Sequence, residues 1–237
     1  VGCTLNCKFC HTGTQLMVKN LTTHEIINQI LVAKDELNDW GSQKKITNIV
    51  YMGMGEPFYN YDNVKKSISI LKEHNGLDYS PKKITVSTAG ISDEIMKAAD
   101  EIRTYLALSL HAPTDELREK IMPINKKHTI EELLETLRTY PLKATRRLTF
   151  EYVLLRGIND SHEDAVRLGK MLHGFKCKIN LIPFNAFDRS DFQAPHEDRV
   201  AQFQYYLLDR NFTVFVRKNR GTDILGACGQ LAAESFS

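Results

Sequence analysis

Ile46-Thr47-Asn48-Ile49-Val50-Tyr51-Met52-Gly53-Met54-Gly55-Glu56-Pro57 is an apolar, β-branched run that ends in a glycine turn carrying one carboxylate. Residues Ile46 to Met52 read as a buried strand. At its carboxyl end the glycines let backbone approach a ligand, and Glu56 can accept from a cationic group, for which an α-amino group is a match. A glycine turn after a strand is often only a turn. This one lacks the Gly-Lys-Ser/Thr of a phosphate loop and the G-x-G-x-x-G of a dinucleotide site.

The same pattern recurs along the chain. Further strands are expected at Ile84 to Ser87, Tyr105 to Leu110, Leu148 to Leu155 and Ile179 to Ile182. Thr22-Thr23-His24-Glu25 caps a helix that places Ile26, Ile27, Ile30 and Leu31 on one face. Helical period returns in Asn63 to His74, Asp93 to Ile102, Ile130 to Tyr140, Ser161 to His173 and Glu197 to Arg210. Alternating strands and helices call for a parallel sheet with crossover helices, and about five visible repeats favour a partial or full barrel. Ligands of such barrels gather at the carboxyl ends of the strands. There lie Gly53 to Pro57, Ser87-Thr88-Ala89-Gly90, Ser109-Leu110-His111 and Pro183-Phe184-Asn185. We expect one core over residues 1–212 and an extension over 213–237, a further short strand followed by a loop around Cys228.

The chain of 237 residues, 42% of them hydrophobic, suffices for one core. Lys plus Arg number 31 against 29 Asp plus Glu, so net charge does not announce nucleic acid. Basic stretches at Lys44-Lys45, Lys82-Lys83, Lys126-Lys127-His128, Arg146-Arg147 and Arg217-Lys218-Asn219-Arg220 could reach phosphates or be solvated surface. No signal segment or membrane-length apolar run is present, and five cysteines without a disulfide framework fit a reducing compartment, the cytoplasm. The chain does not begin with Met and its first metal-ligand candidate is already Cys3, so a strand upstream of Val1 is expected.

Cys3, Cys7 and Cys10 are spaced C-x3-C-x2-C. Three thiolates in a short loop can hold three corners of an iron-sulfur cube and leave one iron open to a ligand. The alternative is a zinc knuckle, which wants four ligands, and only His11 offers a local fourth. Cys228, in Ala227-Cys228-Gly229-Gln230-Leu231, reads as a thiol serving that cluster. Cys177 reads as a small hydrophobe in a strand. His111, taken alone, reads as a satisfied strand-end histidine rather than a catalyst.

From Val1 to about Glu234 the chain resembles the RlmN-type dual-specificity radical S-adenosylmethionine methyltransferases, which methylate C2 of adenosine in 23S rRNA and tRNA. The resemblance is carried by Gly2-Cys3, Lys8 to Gly13, Met52 to Pro57, Ser109 to Ala112, Pro123-Ile124-Asn125-Lys126-Lys127, Asn180 to Asn185 and Ala227 to Leu231. It implies a partial (β/α)6 TIM-like radical SAM barrel with a short C-terminal extension carrying the catalytic Cys228. Cys3, Cys7 and Cys10 would hold a 4Fe-4S cluster, with Phe9 beside the adenosyl group. Gly55 and Glu56 would bind the amino group of S-adenosylmethionine, and Ser87, Ser109, Leu110, His111 and Asn185 the rest of it.

The resemblance also implies a reaction. Adenine C2 has no nucleophilic lone pair, so a radical route is required. One of two S-adenosylmethionines per turnover methylates Cys228 by polar displacement. The other is reduced, and its deoxyadenosyl radical takes a hydrogen atom from the S-methyl group, which then adds to C2. A second thiol frees the RNA by forming a disulfide with Cys228. That resolving cysteine, an RNA-contacting domain and a proton-accepting glutamate are expected upstream of Val1. Implied partners are 23S rRNA, tRNA and an electron donor such as flavodoxin with its reductase; a monomer without membrane attachment is expected. The alternatives are the related C8-specific rRNA methyltransferase, a non-catalytic iron-sulfur carrier and a zinc-held RNA-binding module. Pro123 to Lys127 and Cys10 to Gly13 favour C2. RNA as substrate rests on the resemblance and the basic pairs, and C2 would require an extruded base.

Overall fold

A computed structural model describes residues 1–187, 190–217 and 226–231. Six strands, β1 (Ile49–Tyr51), β2 (Ile84–Thr88), β3 (Tyr105–Ser109), β4 (Leu148–Leu154), β5 (Cys177–Pro183) and β6 (Thr213–Val216), form one sheet in the order β1-β2-β3-β4-β5-β6. Every neighbouring pair is parallel. Sequential parallel order with a crossover at each step is the open wall of a (β/α)6 barrel, as expected.

Helix α1 (Thr23–Glu36) leads into β1, and the crossovers are α2 (Tyr61–Lys72), α3 (Ser92–Glu101), α4 (Asp115–Ile121) with α5 (Ile130–Arg138), α6 (His162–Met171) and α7 (Glu197–Leu208). Their starts follow local chemistry. Thr22 and Glu25 complete the expected capping box of α1, and Ser161 with Asp164 does the same for α6. Thr114 and Thr129 cap α4 and α5. Apolar faces then turn inward: Val64, Ile68 and Leu71 of α2, Leu133 and Leu137 of α5 and Leu168 of α6 are buried. Each such side chain contributes about 1.5–3 kcal/mol of transfer free energy. All seven residues of β4 are buried, which makes it the middle of the wall.

Three expectations need correcting. The first strand is shorter than Ile46 to Met52, because the Ile46 N–H bonds to Asp39 Oδ2 and its carbonyl accepts from the Tyr79 hydroxyl, so its polar groups are spent outside the ladder. Helix α4 is additional to the helices expected; its seven residues are mostly charged and too few to show a period. The strand expected in the 213–237 extension, β6, pairs in register with β5 and so belongs to the barrel wall. Residues 218–225 and 232–237, including Lys218, Asn219, Arg220 and the end of the resembling stretch at Glu234, lie outside the described residues. Among the described residues, no helix is long and apolar enough to cross a membrane.

Candidate active site

The carboxyl ends of the strands surround a cavity of about 170 Å³, lined by Cys3, Cys7, Cys10, Phe9, Gly55, Glu56, Ser87, Ser109, His111, Asn185 and Cys228. Of the expected site residues, Leu110 alone stands apart. Its side chain is fully buried, its N–H donates to Glu151 O and its carbonyl accepts from Arg118.

The cysteine loop is wound by the Cys10 N–H to Cys7 O (3.2 Å) and the Gly13 N–H to Cys10 O (2.9 Å). The Leu5 N–H points at Cys3 Sγ, 3.4 Å away, as an N–H toward a thiolate would. Burial raises the pKa of Cys3 and, more strongly, of Cys7, with neighbouring cysteines adding to it. Ligand binding here must therefore displace protons. Among the described residues no three His, Cys, Asp or Glu side chains converge closely enough to hold one metal ion. His11, the local fourth candidate, stacks its ring flat on Phe187 at 5.0 Å. Three thiols spread around a cavity, without a converging fourth ligand, fit a cluster with one open corner and not a closed zinc site.

Glu56 is buried at the β1 end. One oxygen accepts from the Phe58 N–H (3.0 Å) and the other from the Ala89 N–H (2.7 Å), so the carboxylate is aimed by two strands. Desolvation raises its pKa to about 6 against those two donors. Because the folded pKa exceeds the unfolded one, protonation favours the fold, and stability drops by about 2 kcal/mol as pH rises through that interval. A cationic ligand would reverse that penalty. Of the two glycines in the turn, Gly55 has φ +86°, and a Cβ there would lie 3.2 Å from Gly2 O; Gly53 faces open space.

His111 holds a left-handed backbone, φ +60°, unusual for a residue other than glycine. It is pinned there by its own N–H to Glu151 O, by the Asn159 side chain to its carbonyl and by the Val153 N–H to its Nδ1. Burial lowers its pKa to about 3, so the ring is neutral with the proton on Nε2. Phe9 meets it edge-on at 4.8 Å. The histidine is thus satisfied, as its strand-end position suggested, and it lines the cavity as well.

Cys228 sits on a turn clamped over the mouth. Asn185 Nδ2 donates to Cys228 O (2.9 Å), Gln230 Nε2 to Ala186 O, the His11 N–H to Gly229 O and Thr12 Oγ1 to Leu231 O. Cys228 is open to solvent on one side, yet desolvation, with Glu151 and Cys10 next in effect, raises its pKa to about 11. All five cysteines are free thiols. Cys177 packs in the core of β5, as expected, and burial raises its pKa to about 12. Asn185 Oδ1 is buried without a partner among the described residues, an acceptor that a bound molecule would satisfy.

Two polar residues escape a reading of the sequence. Ser109, Glu151 and Asn180 occupy one row across β3, β4 and β5, and Asn180 Nδ2 holds Glu151 Oε1 at 2.8 Å. A buried carboxylate, its pKa raised by desolvation, thus lines the same cavity as Cys228. The available signal is a Glu and an Asn inside otherwise apolar runs.

The basic pairs divide by face. Lys44-Lys45, Lys82-Lys83 and Arg146-Arg147 precede β1, β2 and β4, at the amino ends of parallel strands and away from the cavity. Several are also spent on structure: Lys44 Nζ bonds to Leu77 O and Asp78 O, and Arg146 to Arg103 O and Thr104 O. Lys126, Lys127 and Arg217 lie on the cavity side, after Met122, which lines the cavity, and after β6.

Residues 1–169 match the family model described as the Radical SAM superfamily. The chain is 48% identical over 242 residues to a protein of Nitrobacter winogradskyi named dual-specificity RNA methyltransferase RlmN, and 49% identical over 241 residues to one of the same name from Rhodospirillum rubrum. Those alignments take in 99% and 100% of this chain but 61% and 56% of the relatives, so the chain spans about three fifths of their length. A radical SAM methyltransferase from Sphaerobacter thermophilus superposes with TM-score 0.94 at 42% identity, covering 99% of this chain and 68% of that one. Streptococcus suis SuiB bound to S-adenosylmethionine, 14% identical with TM-score 0.64 over 92% of this chain and 49% of its own, shares the fold.

Proposed function

From the premise that the chain belongs to the radical SAM superfamily, we propose that it is the catalytic barrel of an S-adenosylmethionine-dependent RNA methyltransferase that modifies C2 of adenosine in 23S rRNA and tRNA through a methylated Cys228. The observation that carries this reading is the convergence of Cys3, Cys7, Cys10, Glu56 and Cys228 on one cavity. A carrier of electrons would not need a separate thiol clamped over its cluster.

Cys3, Cys7 and Cys10 would hold the cluster, which when bound supplies the electron that splits S-adenosylmethionine and an iron corner for its amino acid end. Glu56, ionised above about pH 6, receives the ammonium group. Ser87 and Ser109, whose hydroxyls stand 3.5 Å apart, and Asn185 Oδ1 offer hydrogen bonds to the remainder. Phe9, Val153, Ile182 and Phe184 give apolar walls that exclude water. Cys228 is kept as a thiol at rest, and Glu151 offers a place for its proton inside the cavity. Leu110 serves by orienting its neighbours and not by contact. The relatives' printed name, together with Lys126, Lys127 and Arg217 on the cavity face, supports RNA as the substrate; 23S rRNA and tRNA, an outside electron donor, a monomeric state, a cytoplasmic setting and a C-terminal stretch after β6 that carries Cys228 complete the reading.

The test is anaerobic reconstitution with iron and sulfide, followed by incubation with rRNA and tRNA fragments, a reductant and S-adenosylmethionine. 2-Methyladenosine by mass analysis is expected. 8-Methyladenosine would replace the C2 assignment, and a zinc-loaded protein indifferent to S-adenosylmethionine would defeat the reading.

Two further outcomes are expected. Affinity for S-adenosylmethionine should rise about tenfold per pH unit up to about pH 6 and then level off, as Glu56 loses its proton. Glu56→Gln should flatten that profile at weak affinity; a parent profile that is already flat between about pH 5 and 8 would remove Glu56 from the amino-group site. For RNA, Lys127→Ala should weaken binding and lower the salt slope by about one, while Lys83→Ala on the opposite face should change neither. Equal effects of the two would show that the cavity face is not the RNA face.

A further inference from the structure

Arg118 on α4 is fully buried and carries a charge with no partner of opposite sign in contact among the described residues. Its guanidinium donates five hydrogen bonds: Nε to Leu110 O (3.0 Å), Nη1 to Asn125 Oδ1 (2.9 Å) and His128 O (3.3 Å), and Nη2 to Ala89 O (2.6 Å) and Ser109 O (3.0 Å). Every acceptor is neutral. None of the ion pairs among the described residues includes it. The Asp115 carboxylate is one step removed: Asn125 Nδ2 donates to Asp115 Oδ1 (2.8 Å), which also takes the Ile130 N–H (2.8 Å). Buried charges are ordinarily paired, because removing them from water costs several kcal/mol.

The position of this cation is informative. The carbonyls it gathers, Ala89, Ser109 and Leu110, are the ends of β2 and β3, where the cavity begins. Helix α4 ends at Ile121, whose carbonyl accepts the Lys8 N–H (2.9 Å) from the middle of the cysteine loop, and the next residue, Met122, lines the cavity. Lys8 directly follows Cys7, so this bond ties the end of α4 to the loop beside that cysteine. The negative charge missing from the chain is the charge that thiolates and a cluster would bring.

We propose that Arg118 is the counter-charge of the cluster: a positioning residue that holds one positive charge beneath the Cys7 side of the loop and so makes reduction of the bound cluster easier. The proposal rests on Cys3, Cys7 and Cys10 being the cluster ligands. Reduction adds one negative charge to an already anionic assembly in a low-dielectric site, so a fixed cation stabilises the reduced form more than the oxidised one. Arginine suits this position because its planar fork can bind carbonyls from two strand ends, Asn125 and His128 at once while remaining charged; lysine could supply the charge but not the fork. Asn125, part of the Pro123 to Lys127 stretch, then has a definite role, since it holds Nη1 through a neutral oxygen and keeps the Asp115 carboxylate at a distance.

The test is the midpoint potential of the reconstituted cluster, followed by EPR, beside iron content and melting temperature. Asn125→Asp combined with Asp115→Asn moves a carboxylate onto the guanidinium without changing net charge, and the amide introduced by the second change can still bond to position 125. That pair should take up parent levels of iron and shift the potential to more negative values. Arg118→Gln, which removes the charge, should shift it further in the same direction. Arg118→Lys should melt lower than the parent yet keep a potential near the parent's. If Arg118→Gln does not fold, the exchanged Asp/Asn pair and Arg118→Lys still decide. The parent potential in the loaded Asp/Asn pair or in loaded Arg118→Gln, or a shifted potential in loaded Arg118→Lys, would overturn this proposal alone, whereas a parent chain that takes up no four-iron cluster would overturn the reading of the cysteines and this proposal with it.

Discussion

On the proposed function, Cys228→Ala should abolish methylation of RNA while leaving iron uptake and cleavage of S-adenosylmethionine within a few-fold of the parent. The separation follows from where the groups sit. Cys3, Cys7 and Cys10 lie on the amino-terminal loop, Glu56 and Ser87 on the ends of β1 and β2, and Cys228 on a turn whose tethers to Asn185 and His11 are made by backbone atoms of residues 228 and 229. Alanine keeps those tethers and removes only the sulfur. Loss of a nucleophile costs a factor of at least about 10⁴, and on the proposed function it removes the thiol that carries the methyl group, the thiols of Cys3, Cys7 and Cys10 being committed to the cluster. Deoxyadenosine release, methylated adenosine and the mass of the peptide around position 228 are read in one incubation. Methylated adenosine from Cys228→Ala above background would mean that the methyl group never passes through this thiol. A parent peptide that never gains a methyl mass would lead to the same conclusion independently.

The division between what is legible in the sequence and what is not has a physical basis. The parallel α/β architecture can be read because strands such as β4 are buried on both faces and so appear as continuous apolar runs, while Thr22 and Ser161 announce the helices behind them. The cysteines and Glu56 are legible because ligand chemistry and strand ends leave short local signatures. Arg118 and Glu151 are not, since their roles are set by what packs over them. Arg118 lies in Asp115-Glu116-Leu117-Arg118-Glu119-Lys120, which reads as a solvated surface, and only the fold places that helix under the cysteine loop. Glu151 is hidden in an apolar run whose register against Ser109 and Asn180 exists only once three distant segments pair. The basic pairs mislead for the opposite reason. Proximity to a strand is visible in sequence, but most of those pairs lie at the amino ends, so the charge is on the far face from the cavity.

Gly13→Ala should empty the site of iron without touching a ligand. Gly13 lies in the single turn His11–Thr14 that closes the cysteine loop, and it is buried. A Cβ there would stand 2.6 Å from Cys7 O and 3.0 Å from Cys7 N, both of them backbone. No side chain can rotate aside, so relief requires moving Cys7 itself, and Cys7 is tied by the Lys8 N–H to Ile121 O and by Cys7 O to the Cys10 N–H. Overpacking of this kind costs about 1–3 kcal/mol, and the easiest strain to release is the spacing of three thiols that a cube demands. Iron content well below half of the parent's is expected, with a melting temperature lowered by a few degrees. Gly53→Ala is the control, because that glycine faces open space and has no left-handed backbone, so it should load and melt as the parent does. Full iron loading in Gly13→Ala would show that the loop yields more readily than its packing implies, and that the thiol spacing is imposed by the cluster on binding and not held ready by the fold.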